Sequence, residues 1–263
     1  MSSRLEDLPS DVLLYLGRFL PGRLGLPLSK HILSILGTPR SIAERALWRY
    51  GAPLCLAVEA RRKDDAALEV VRSLLGIESV KRTINTTSID TTSDEPTCIG
   101  TALEAAATAG NAKTVSLLLD HGALATDKHE LCDHETCIFV ERFEESLNGM
   151  PSRALIAAVE ERRPGVVRLL MDAGADPTLG DGEALKEALM YGGDIEILRI
   201  ILERIKDPNF VDNIPPYGTS AMSIAVEYGN VAGARFLEDW LALHMINFTM
   251  DAFLAQALRR GTL

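Results

Sequence analysis

The sequence predicts an all-α solenoid of stacked helix–turn–helix units, preceded by a small, separate helical block. Three observations predict it. A long phrase recurs: T-A-L-E-A-A-A-T-A-G-N-A-K-T-V-S-L-L-L-D-H-G-A, from Thr101 to Ala123, returns as R-A-L-I-A-A-V-E-E-R-R-P-G-V-V-R-L-L-M-D-A-G-A, from Arg153 to Ala175. Fourteen residues separate the start of a first helix from the first apolar residue of the second in four places: Thr101 to Val115, Arg153 to Val167, Glu183 to Ile197 and Ser220 to Ala234. The composition is 47% hydrophobic but only 5% aromatic, which suits helices packed closely through Ala, Leu and Val. Repetition of a supersecondary unit takes precedence over any local motif, because one unit cannot bury its apolar face alone.

The first block spans residues 1–48. Pro9 suits the first turn of a helix, with Leu13, Leu16 and Leu20 as its stripe. Leu28-Ser29-Lys30 leads into a second apolar helix through Ile32, Leu33, Ile35 and Leu36, and Ala46-Leu47-Trp48 closes the block.

The repeat region covers residues 52–261, with starts near 52, 101, 153, 183 and 220. The first copy opens A-P-L-C-L-A and carries its second stripe at Val71, Leu74 and Leu75, with extra residues in the turn around Arg61–Asp65. In the second copy, Thr101 is placed to cap a helix and Gly110 to end it in the left-handed conformation. Val115, Leu118 and Leu119 then line one helix face. Ile197, Ile200 and Ile201 form the fourth copy's stripe, and Leu237 continues the fifth's. Residues 252–261 read as a first helix without its partner, a C-terminal cap.

Two insertions interrupt the copies. Asn85 to Cys98 is rich in Thr, Ser and Asp and predicts an extended finger or loop. Leu124 to Ser152 holds His129, Cys132, His134 and Cys137, four zinc-competent ligands within nine residues, interleaved with Asp127, Glu130, Asp133 and Glu135. One helix would point the four ligands apart, so a site would require a loop; the other reading is a solvated acidic loop. The prediction is therefore no metal and no cofactor, with these four as the zinc candidate.

The repeats resemble the ankyrin family, whose signature includes T-P-L-H-x-A and a period of about 33 residues. Ala52-Pro53-Leu54-Cys55-Leu56-Ala57 matches that phrase most nearly, and no copy keeps T-P-L-H in full. The resemblance implies a hairpin-like finger before each helix pair and a concave recognition face. An irregular all-α solenoid of another repeat family is the alternative. The opening block resembles an F-box, on its L-P-x-[DE] start at Leu8, its F-L at Phe19-Leu20, its Leu-Ser-Lys step and Trp48. It departs from the family at 21–27, where two glycines and two prolines fall. The resemblance implies a Skp adaptor held by Leu8, Pro9, Leu13 and Leu16, and a ubiquitin-ligase substrate receptor of fungal type. The alternative is a helical cap on the first repeat of a regulatory scaffold or transcription coregulator.

The formal charge is −10, from 37 acidic against 27 basic side chains, without a concentrated basic face, which argues against direct nucleic-acid binding. No apolar run reaches the ~18 residues that cross a bilayer, and Glu6, Asp7 and Asp11 spoil a signal-peptide layout. A cytoplasmic or nuclear, monomeric protein is expected. Motifs G-x-S-x-G, G-x-x-x-x-G-K, G-x-G-x-x-G and H-E-x-x-H do not occur, so the chain is predicted not to be an enzyme. By the ankyrin resemblance, a partner would meet the residue pairs ending each first helix. These are Glu59-Ala60, Thr108-Ala109, Glu160-Glu161, Met190-Tyr191 and Glu227-Tyr228, with Arg259-Arg260 from the cap. The expected partner is a protein presenting a basic or amphipathic segment to an acidic groove.

Overall fold

The structure, a computed structural model, describes residues 8–17, 19, 29–90, 97–126, 152–190, 194–205 and 208–243. The C-terminal cap and the insertion holding His129, Cys132, His134 and Cys137 lie outside the described residues. The chain divides into two compact units, Met1–Ala123 and Leu124–Leu263.

In the first unit, α1 (Ser10–Gly17), α2 (Lys30–Leu36) and α3 (Pro39–Tyr50) precede two helix pairs, α4/α5 (Ala52–Ala60, Asp65–Leu75) and α7/α8 (Ala102–Ala109, Ala112–Asp120). A short α6 (Glu78–Lys81) and a two-stranded hairpin, β1 (Ser88–Asp90) and β2 (Thr97–Gly100), lie between the pairs. Side chains cap the starts of five of these eight helices. Ser29, Thr38, Asp64 and Asn111 each accept a backbone N–H of the first turn, and Thr101 and Glu104 form a reciprocal capping box. First helices stack on first helices (α4 on α7) and second on second (α5 on α8), while α3 packs against both α4 and α5. The opening block therefore belongs to the same compact unit as the first two helix pairs. Leu13 anchors α1, only 1% exposed, and Gly17 comes so near α2 that a Cβ there would meet Leu36 at 2.6 Å.

The stretch expected as an extended finger or loop is in part a strand pair: Ser88 opposes Gly100, Ile89 opposes Cys98 and Asp90 opposes Thr97, with a bulge after Ser88. Extended Thr and Ser backbone accounts for it, and Gly100 (φ 80°) is required because the Glu104 carboxylate occupies the space a Cβ would take.

In the second unit, three helix pairs follow one another: α9/α10 (Arg153–Glu160, Pro164–Asp172), α11/α12 (Leu179–Leu189, Ile195–Arg204) and α14/α15 (Ala221–Glu227, Val231–Leu243). The first helices α9, α11 and α14 stack in sequence, as do α10, α12 and α15. α11 opens on three left-handed residues, Gly180, Asp181 and Gly182, so its regular helix starts at Glu183. A one-turn α13 (Pro208–Asp212) precedes a tight finger in which Ile214 and Thr219 exchange both backbone hydrogen bonds, 3.0 and 3.2 Å. Tyr217 projects from its tip.

Among the described residues, one turn between the first and second helix of a pair is built three times. The residue after Gly110, Arg162 and Gly229 donates its N–H to the carbonyl five residues back: Asn111 to Ala106 (3.0 Å), Arg163 to Ala158 (2.8 Å) and Asn230 to Ala225 (2.7 Å). Gly110 (φ 74°) and Gly229 (φ 68°) adopt the required conformation freely, whereas Arg162 (φ 54°) holds it against its own Cβ, at a cost of about 1 kcal/mol. Asn111 and Asn230 also tie neighbouring repeats together. Asn111 donates to the Arg62 carbonyl (2.8 Å) while capping α8; Asn230 donates to the Leu189 carbonyl (3.1 Å) while accepting from Gly233 N–H (2.8 Å).

Candidate functional site

The ends of the first helices differ between the units. In the first unit, Glu59 is only 7% exposed. Its Oε2 accepts a 2.7 Å hydrogen bond from Arg62, whose other amine reaches Asp64 at 3.0 Å. Burial alone would lower the Arg62 pKa, but the charges and hydrogen bonds of Glu59 and Asp64 raise it, so the guanidinium stays charged. Glu59, expected on the groove, is thus turned inward as one side of an ion-pair triad. The extra residues of this turn let the chain fold its own arginine back over the helix end. Thr108 is half-buried and donates to the Glu104 carbonyl (2.9 Å), and Ala109 is buried, so neither offers charge.

In the second unit the matching residues are exposed at two of the three first-helix ends. Glu160, Glu161, Glu227 and Tyr228 are all exposed, and Glu161 faces Arg163 at 3.7 Å. Met190 is half-buried, while its neighbour Tyr191 lies outside the described residues. Glu160 and Met190 come together at one cleft among α9, α11 and α12. Its apolar floor is Val159, Ala188 and Ile197, and Glu187 and Asp194 stand beside Glu160. Glu227 and Tyr228 do not line it. Glu187 and Asp194 are absent from the sequence-derived set. The signals were present, since Asp194 is the N-cap of α12 and Glu187 lies three residues before Met190. Only stacking brings them to Glu160.

Of the residues expected to hold an adaptor, Pro9 and Leu16 are exposed, Leu8 is half-buried and Leu13 is in the core. Leu16 is 40% exposed, so it does not share the inward stripe, which runs Leu13–Gly17 at helical spacing. The outward face instead carries aromatics. Tyr15 meets Phe19 edge-on (5.8 Å between centroids), and Phe19 meets Trp48 (5.0 Å). All three are more than half exposed, with Trp48 at 55%.

Cys55 is buried and donates to the Ala52 carbonyl; burial pushes its thiol up to about 12, so it stays protonated at neutral pH. Among the described residues no group of His, Cys, Asp and Glu is arranged to hold a metal, and no helix is long and apolar enough to cross a membrane.

The chain is similar to the ankyrin repeat and SAM domain-containing protein 6 of Danio rerio, with 29% identity over 144 residues. That match covers 52% of this chain and 19% of the relative, so the chain spans about a fifth of that relative's length. No family model matches the chain. A mostly helical structure of recurring helix pairs and a likeness to an ankyrin-repeat protein point the same way.

Proposed function

We propose that this chain is a non-enzymatic, ankyrin-type protein–protein interaction module of the cytoplasm or nucleus, and that residues 52–261 carry the repeats. The observation that carries the reading is the helix pair with its shared left-handed turn, stacked in layers within each unit. Such stacks present helix ends and fingers as a continuous surface rather than a reaction chamber. The partner segment would be basic or amphipathic, facing Glu160, Glu161, Glu227, Met190, Tyr191 and Tyr228. Reversing Glu160, Glu161 and Glu227 to Lys tests this: co-purification from a crosslinked extract should lose its specific partners while the thermal unfolding midpoint stays put. Retention of the same partners by the reversed variant would defeat the acidic-groove reading.

A second reading is favoured by the exposed Tyr15–Phe19–Trp48 cluster. Here residues 1–48 dock on a Skp adaptor, and the repeats hold the substrate of a ubiquitin ligase; a regulatory scaffold whose first helices only cap the repeats is its rival. Calorimetry with the purified Skp adaptor separates the two, using Tyr15→Ala and Trp48→Ala as controls. Leu13→Asp is unsuitable because it buries a charge in the core. Binding lost in both variants supports the ligase reading, and no binding by the folded wild type leaves the scaffold.

A further inference from the structure

We propose that two copies of this chain pair through the outward face of α1, the two helices lying antiparallel about a two-fold axis. The inference goes beyond the interaction-module reading, because the repeats play no part in it, and it departs from the monomer expected from the sequence.

α1 is apolar on both sides. Its inward side is closed, with Leu13 buried and Gly17 held against Leu36 of α2. Its outward side carries Val12, Tyr15 and Leu16 at i, i+3 and i+4, and Phe19 continues the row just past the helix. Within α1 only Asp11 is charged. A helix that is apolar all round belongs in an interior. Here the second side faces solvent, with Tyr15 58% and Phe19 60% exposed.

This face is also ordered in advance. Tyr15 meets Phe19, and Phe19 meets Trp48 of α3, so the three rings already support one another and lose little freedom on being covered. Tyrosine and tryptophan at the centre of a patch are the residues that carry most binding energy in interfaces.

The charges at the two ends of the row make it complementary to itself. Asp11 stands at the opening of α1, and Arg49, next to Trp48, stands at the Phe19 end. Both are exposed, and among the described residues neither belongs to an ion pair. A two-fold rotation reverses α1, so the Asp11 end of each copy meets the Trp48–Arg49 end of the other and every contact is made twice. Residues three and four apart also form the seam along which one helix packs on its equal. A parallel pair would instead set like charges side by side. A face this small makes a weak dimer, with a Kd on the order of 10 µM.

The test is sedimentation velocity on the full chain from about 1 to about 200 µM, a range that brackets that Kd. Monomer should give way to dimer as concentration rises. Tyr15→Ala and Trp48→Ala should each weaken pairing about tenfold while thermal unfolding shifts little, since both side chains lie at the surface. Asp11→Arg and Arg49→Asp should each weaken it severalfold. An equimolar mixture of those two variants should recover wild-type pairing, because every two-fold contact then joins opposite charges. A wild type that stays monomeric throughout would overturn the proposal, and adaptor binding in the calorimetry above would then give the face to another protein. Dimers indifferent to Tyr15→Ala and Trp48→Ala would overturn it as well, by placing the contact elsewhere. A mixture no stronger than the single variants would rule out the antiparallel pair. None of these outcomes touches the module reading, which stands or falls on its own charge-reversal experiment.

Discussion

The first-helix ends of α4 and α9 are the same device in two states. Each follows a short Ala-rich helix, and each carries a glutamate in its last turn. At α4 the turn is longer and returns Arg62 to Glu59, so the charge is consumed inside the fold. At α9 the turn is short, its left-handed position is filled by Arg162, and Glu160 remains exposed. The same residue type at matching places is thus buried in one repeat and exposed in the other, where the intervening turns differ in length.

That comparison breaks most visibly in the core, which it holds to be equivalent in both units. Leu74→Ala and Leu170→Ala should each cost about 3 kcal/mol in urea unfolding, since both side chains are fully buried on the second helix of their pair. A cost below about 1 kcal/mol at either site would show that the two units are not built alike.

Next in size, Glu59→Ala should destabilise by about 2 kcal/mol, because it leaves a partly buried guanidinium with Asp64 but without its buried glutamate. A cost below about 0.5 kcal/mol would show that the Glu59–Arg62 pair adds nothing to the fold. Asn230→Ala should cost about 2 kcal/mol as well, leaving the Gly233 N–H and the Leu189 carbonyl unpaired in a buried turn. Its loss should also raise amide exchange at Gly233.

The smallest expected effect has the opposite sign. Arg162→Gly should stabilise the second unit by about 0.5–1 kcal/mol, relieving a left-handed non-glycine residue at the price of some unfolded-state entropy. A destabilised variant would mean that the Arg162 side chain contributes more to the cleft than its backbone costs.

Much of the local structure is legible in the chain. Thr101, Ser220 and Asp64 cap the helices they precede, and Gly110 and Gly229 end theirs, because a cap is satisfied by residues three or four positions away. The stripe at Val71, Leu74 and Leu75 is buried for an equally local reason, the helical period, as are Val115 and Leu118 of the next copy, whose Leu119 is only half-buried. Errors arose where a neighbour decides. Periodicity alone places Leu13 and Leu16 on one stripe, but α2 covers only the Leu13–Gly17 side and leaves Leu16 to solvent. At 85–98 the sequence left an extended finger and a loop both open, and strands pair at 88–100 because their hydrogen-bond partners lie across the loop, beyond any helical spacing.

By itself the sequence determined where many helices start and end and which of their faces are apolar, because capping and periodicity are read within a few residues along the chain. Which charges are buried and which are exposed was decided only by tertiary structure. Glu59 and Glu160 are the same residue type at matching places, and their environments are set by a turn length and by side chains from other elements. Desolvation and ion pairing depend on distances through space, so a carboxylate that is identical on paper is buried in one repeat and open in the other.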